Sequence, residues 1–271
     1  MKPRPFDYIR PETVDEAVAL LAEYGDDARV LAGGQSLMAM MNLRLADPAV
    51  LIDIARIAAL DAIRDLGDSI EVGATVTQNK LLAWPELGAK LPLLAAALPH
   101  VGHFQTRNKG TVCGSIAHAD PSSEIPLSLA TLEGEVVLRS KRGERALKAK
   151  DFQIDMLTTA REGDELIVGV RFPIHGKGVA FREVARRHGD FAMVAVAAVI
   201  DGKGNMKLGA GGVAAKPVIR AIANNGAKDA VENLANELEG YEDLHASAEL
   251  RKDILRNLAP LVIAEAQTCV A

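Results

Sequence analysis

The sequence predicts an α+β fold in which two α/β lobes are followed by a C-terminal lobe of antiparallel sheet and helices. Three observations predict it. Helix-period and strand-period segments alternate through the first part of the chain, strand-like runs separated by Gly-containing turns fill the middle, and helical periodicity returns at the end. The changes of pattern place lobe boundaries near residues 55 and 175, giving lobes 1–55, 56–174 and 175–271.

Thr13 and Glu16 have the spacing of a capping box, and Val14, Ala17, Val18 and Leu21 recur at helical intervals until Gly25 offers a stop. A short strand at 28–31, a turn at Gly33-Gly34, a helix at 37–45 and a strand at 50–54 complete a small α/β unit. Residues 70–76 alternate as a strand does, and 78–84 and 91–98 carry helical spacing. The segment from Gly110 to Ser115 is expected to be a loop joining elements. Strands are expected at 135–139, 165–172, 179–184, 191–200 and 206–208. Beyond Val218 strand signals fade. Helices are expected at 227–238 and 248–264, the latter with Leu250, Ile254, Leu258 and Leu261 on its apolar stripe and kinked or interrupted by Pro260.

Composition narrows the function classes. The 271 residues are 49% hydrophobic and 25% charged, ample for a core, and the net charge of −5 provides no positive field for nucleic acid or anionic lipid. The first residues lack the apolar stretch of a signal peptide, and the longest apolar run, 191–200, is about half a membrane span. A cytoplasmic protein with no membrane insertion is expected. Two cysteines, Cys113 and Cys269, form no C-x-x-C pair and supply no set of ligands for an iron–sulfur cluster, so any such centre belongs on another chain.

The chemistry concentrates in two small-residue loops, Ala32-Gly33-Gly34-Gln35-Ser36-Leu37-Met38 and Gly110-Thr111-Val112-Cys113-Gly114-Ser115. Runs of backbone N–H groups with few bulky side chains grip phosphate oxygens without needing Lys or Arg. Each loop also has a plainer reading, as a turn whose glycines supply special backbone angles. Neither G-x-G-x-x-G nor a P-loop is present. Between His100 and Pro126, however, lie Arg107, Asn108, His118, Asp120, Ser122, Ser123 and Glu124, a polar density that points to a ligand site.

These motifs carry a resemblance. The first loop with Asn42-Leu43-Arg44-Leu45-Ala46, the run from Arg107 to Pro121, the stretch from Asp164 to Pro173, and Arg186-Arg187-His188-Gly189-Asp190-Phe191-Ala192 together resemble the FAD-binding medium subunit of molybdenum hydroxylases, the carbon monoxide dehydrogenase and xanthine dehydrogenase type. The resemblance implies a PCMH or vanillyl-alcohol-oxidase-type fold, with FAD extended between the first two lobes and both Gly loops at its pyrophosphate. It implies cofactor contacts from Val30, Leu31, Ala32, Gly33, Gly34, Gln35, Ser36 and Leu37, from Thr111, Val112, Cys113, Gly114 and Ser115, and from Val101, Glu124 and Ile167. Arg182 would stabilise anionic reduced flavin, and Asp190 and Phe191 would lie near the ring. Phe191 has the alternative of opening a buried strand. Cys113 and Ala39 depart from the family pattern, and the thiol either crowds the phosphate or points into the core.

The function implied is electron transfer through FAD, from 2Fe-2S clusters on a small partner subunit to an external acceptor, with substrate oxidation at a molybdenum–pterin centre on a large subunit. Two rivals stand beside it. A self-sufficient FAD oxidase or dehydrogenase would need a base beside the ring, for which His100, His103 and His118 are candidates. A non-redox nucleotide-binding scaffold would use the loops for phosphate alone.

Overall fold

The structure, a computed structural model, describes residues 2–175, 178–223 and 227–269. Strands β1 (Asp7–Ile9), β2 (Ala28–Leu31) and β3 (Val50–Asp53) form a parallel sheet in the order β1-β3-β2. The helix Val14–Tyr24 crosses over from β1, as parallel pairing requires. The capping box closes as its spacing predicts, with the Glu16 N–H donating to Thr13 Oγ1 at 3.1 Å and Glu16 Oε2 accepting from the Thr13 N–H. Ala17, Val18 and Leu21 are buried.

A five-stranded antiparallel sheet follows. It uses β4 (Ile63–Asp65), β5 (Ser69–Gly73), β6 (Glu135–Ser140) and β7 (Gly143–Lys148), then, after the short hairpin β8 (Gln153–Asp155) and β9 (Thr158–Thr159), β10 (Leu166–Pro173). The order β4-β5-β10-β6-β7 makes β10 the centre, and its apolar residues Leu166, Ile167, Val170 and Phe172 are buried. Between β5 and β6 the chain forms a series of short helices, among them Pro92–Ala97, Val112–His118 and Glu124–Thr131. The second glycine segment is therefore not a free loop. Gly110 and Thr111 are extended, Thr111 bridging to Thr77 and capping the helix, and the rest is the opening of the helix Val112–His118.

The third sheet is an antiparallel meander of β11 (Val179–Val184), β12 (Val194–Ile200), β13 (Met206–Gly211) and β14 (Val218–Ile222). Its central strand β12 is buried throughout because both faces are covered. Phe181, Ala195, Ala197 and Val199 face a core shared with the first two sheets, whereas Ala180, Val194, Val196 and Ala198 pack with Leu234, Leu255 and Val262 of the C-terminal helices Ala227–Glu237 and Ala248–Thr268.

The last helix departs from expectation in two respects. It continues past Pro260, which lies on the exposed side where a missing N–H is easily tolerated. Its buried stripe is Arg251, Leu255, Ala259, Val262 and Ile263, and Leu250 and Leu261 of the expected stripe face solvent. Arg251 is 1% exposed because its guanidinium reaches back to the sheet. It donates to the carbonyls of Met193 and Gly212, pairs with Asp243 Oδ1 at 2.8 Å and lies 4.4 Å from the centre of the Tyr241 ring. Among the described residues no helix is long and apolar enough to cross a membrane.

Candidate functional site

The two glycine segments meet. Val30 and Leu31 end β2, and the Leu31 carbonyl is held by the Ile54 N–H at 2.9 Å, so the chain leaves the sheet edge at a fixed point. Residues 32–36 then turn before the helix Leu37–Asn42. Gly34 adopts φ +69°, a left-handed conformation that favours glycine. Gly33 is required for another reason: a Cβ there would sit 2.1 Å from the Lys109 carbonyl oxygen and 2.9 Å from Gly110 Cα. The first loop rests directly on the backbone that enters the second.

That backbone is anchored in turn. Thr111 forms an isolated bridge with Thr77, the Gln78 N–H donates to the Gly110 carbonyl at 2.8 Å, and the Val112 N–H donates to Val76 at 3.1 Å. Thr111 caps the helix Val112–His118 by accepting the Gly114 N–H at 2.9 Å. A Cβ at position 114 would lie 2.7 Å from Thr111 Oγ1, so Gly114 is small for the sake of the cap. Cys113 points into the core, 3.5 Å from the Val72 carbonyl, and burial pushes its thiol far above the usual range.

Free backbone donors define what the site offers. Among the described residues the N–H groups of Gly33, Gly34, Gln35, Ser36 and Leu37 have no protein acceptor, and the Gln35 side-chain amide donates to the Gly33 carbonyl at 3.3 Å. In the second segment the N–H groups of Val112, Gly114 and Ser115 are already used internally. Those of Thr111 and Cys113 are not. A partly exposed run of unpaired donors, kept close to a second pair by a contact that excludes even a methyl group, suits the oxygens of a pyrophosphate.

The other expected contacts divide. Val101 is 8% exposed and its carbonyl accepts from the Arg107 guanidinium at 2.9 Å, while Ile167 lies in the core of β10 beside a bulge. Glu124 is buried at the start of the helix Glu124–Thr131. Burial pushes its carboxyl up to about 8, opposed by a hydrogen bond from its own N–H and reinforced by the nearby Glu183 and Asp120 charges. Phe191 is 58% exposed and precedes β12, so it is not the first core residue of that strand. It lines a cavity of about 450 Å³ with Asp120, Arg186, Asp190, Tyr241 and His245. Arg187 pairs with Asp190 at 3.0 Å in the exposed turn before it.

Arg182 is not brought to this site. It projects from the helix-covered face of β11 and pairs with Glu265 at 2.8 Å. The inward position belongs to its neighbour Glu183, whose side chain is 5% exposed and whose Oε1 lies 3.3 Å from His100 Nδ1. Glu183 carried no motif signal. Only its parity within 179–184, together with knowledge of which face is inward, could have singled it out.

The chain resembles known proteins over most of its length. Residues 4–175 match the family described as FAD binding domain in molybdopterin dehydrogenase. The chain is 34% identical to the 6-hydroxypseudooxynicotine dehydrogenase complex subunit alpha of Paenarthrobacter nicotinovorans, covering 98% of this chain and 96% of that one. It is 41% identical to the carbon monoxide dehydrogenase medium chain of Hydrogenophaga pseudoflava over 76% of this chain and 72% of that one. A solved structure of carbon monoxide dehydrogenase from the same organism superposes with a TM-score of 0.93 at 32% identity, covering 99% of each chain.

Proposed function

The chain belongs to the family of FAD-binding domains of molybdopterin dehydrogenases, and on that premise we propose how this medium subunit holds its flavin and passes electrons. The observation that carries the reading is the run of unpaired N–H groups from Gly33 to Leu37, pressed against the Lys109-Gly110 backbone. These groups, with the N–H groups of Thr111 and Cys113, would hold the FAD pyrophosphate. Val30, Leu31, Ala32, Val112, Gly114 and Ser115 shape the cradle, and Val101, Glu124 and Ile167 would contact the rest of the cofactor. The lobes 1–55, 56–174 and 175–271 are our division of the chain, supported by sheets that fall within 7–53, 63–173 and 179–222.

When bound, FAD would accept electrons from the 2Fe-2S clusters of a small subunit and give them to an external acceptor, while a large molybdenum–pterin subunit oxidises the substrate. What this chain supplies is binding, orientation and exclusion of water. The cavity beside Phe191 is a candidate approach to the flavin ring. A cytoplasmic location completes the proposal.

The test is an absorbance spectrum of the purified complex with the released cofactor identified, followed by anaerobic addition of small reductants to the isolated chain. FAD at one per chain, reduced by the iron–sulfur partner and not by small substrates alone, is expected. FAD bleached by a small organic substrate in the isolated chain would favour a self-sufficient dehydrogenase, and a chain that takes no flavin on reconstitution would overturn the proposal.

A further inference from the structure

A cluster of ionisable groups lies where the third sheet meets the second lobe. From the segment that follows the helix Pro92–Ala97, His100 places Nδ1 3.3 Å from Glu183 Oε1 and packs its ring 5.4 Å from that of Phe181. Glu183 has a second oxygen, Oε2, that is buried and has no hydrogen-bond partner. An unpaired carboxylate oxygen in a dry setting is costly unless an opposite charge stands beside it.

The groups facing this pair come from every element packed around it. Glu124, at the start of its helix, lies within electrostatic reach of Glu183, and Asp120, in the turn before that helix, within reach of Glu124. His188, in the loop after β11, lies 6.4 Å from the His100 ring. In the same loop Gly189 is pressed against His103, where a Cβ would lie 2.5 Å from the imidazole, and Asp190 is influenced by His103 and paired with Arg187. Opposite Glu183 on β12 stands Ala195, which contributes no charge. Arg182 is directed to the other face of the sheet. Arg107 donates to the carbonyls of Val101 and Gly102, directly after His100, but among the described residues Glu183 forms no ion pair with a lysine or arginine.

We propose that His100 and Glu183 act as an acid–base pair that takes up a proton from water when the flavin held by this chain is reduced. The inference rests on the proposed function above, because His100 directly precedes Val101 and the charge of Glu183 acts on Glu124, two of the residues assigned to the cofactor. Two electrons from the partner's iron–sulfur clusters together with one proton would leave bound FAD with one more negative charge than before. A second proton, taken from water by the pair, converts Glu183 carboxylate with neutral His100 into carboxylate with imidazolium and offsets that charge. Reoxidation by the acceptor reverses both steps. By linkage, a proton that favours the reduced state makes the reduction potential depend on pH, and the pair is a positioning group for charge rather than a catalytic one.

The experiment is a spectroelectrochemical titration of the FAD-loaded full chain at a series of pH values across the histidine range, beside Glu183→Gln and His100→Gln. Proton uptake on photoreduction is read in parallel with an indicator dye. The parent chain is expected to take up one more proton per flavin than either variant, and its potential to fall more steeply with pH. The double variant should resemble the singles. Equal uptake and equal slopes in chains that retain flavin would overturn the inference. Failure of the parent chain to bind FAD would overturn the functional reading instead. Should Glu183→Gln fail to fold, His100→Gln decides alone, since that imidazole is partly exposed.

Discussion

Gly33 and the Lys109 carbonyl are so close that no side chain fits between them. The contact fixes the separation of two segments far apart in sequence, and with it the distance between their unpaired N–H groups. Gly33→Ala must push the loops apart, so FAD affinity should fall by roughly tenfold or more, equivalent to about 1.4 kcal/mol. Equilibrium dialysis of the apo chain with FAD checks this. Unchanged affinity would mean that the loops do not act together.

Thr111 is expected to matter through its hydroxyl. Thr111→Ala removes the cap on the Gly114 N–H and should cost about 1 kcal/mol of stability, while Thr111→Ser should restore most of it. Urea unfolding of the two variants gives the comparison. An equal loss in both would assign the effect to the methyl group instead.

Glu124 gives a pH dependence of definite sign. Its carboxyl is about 8 in the fold against an ordinary 4.5, so the folded state holds a proton that the unfolded state releases. Stability contributed by this group is therefore greatest below the ordinary value and is lost as pH rises toward about 8. Glu124→Gln, which cannot ionise, should flatten the fall in melting temperature between mildly acidic and alkaline solution. An unaltered slope would show that another group governs it.

The two thiols should differ sharply. Cys113 is buried and its thiol is held protonated, whereas Cys269 is exposed. A thiol reagent should label one cysteine per folded chain and two after denaturation. Labelling of Cys113 in the native chain would contradict its inward orientation.

Much of this fold was legible in the sequence where local signals and tertiary packing agree. The capping box at Thr13, the strands at 28–31 and 179–184 and the central strand β10 all announce themselves by spacing. The helix Glu124–Thr131 did not, because Pro126 and the scarcity of charge disguise a helix buried on nearly all sides. Strand β7 was missed for the opposite reason. Gly143–Lys148 is an edge strand, almost wholly exposed and polar, with no alternation to detect. In the site, the loop motifs located the donors, but the distinction between Arg182 and Glu183 is one of parity. A single residue reverses which face a side chain occupies, and only the packing of both faces decides it.

The double coverage of β12 sets how much variation the chain can absorb. Since each residue from Val194 to Ile200 belongs to one packed interior or the other, a saturation scan should find this strand intolerant of polar replacement at consecutive positions, without the every-other-residue relief of a one-sided sheet. The same strand makes excision of the C-terminal helices hazardous: it would bare a full apolar sheet face and create an aggregation surface where the parent chain has an interior.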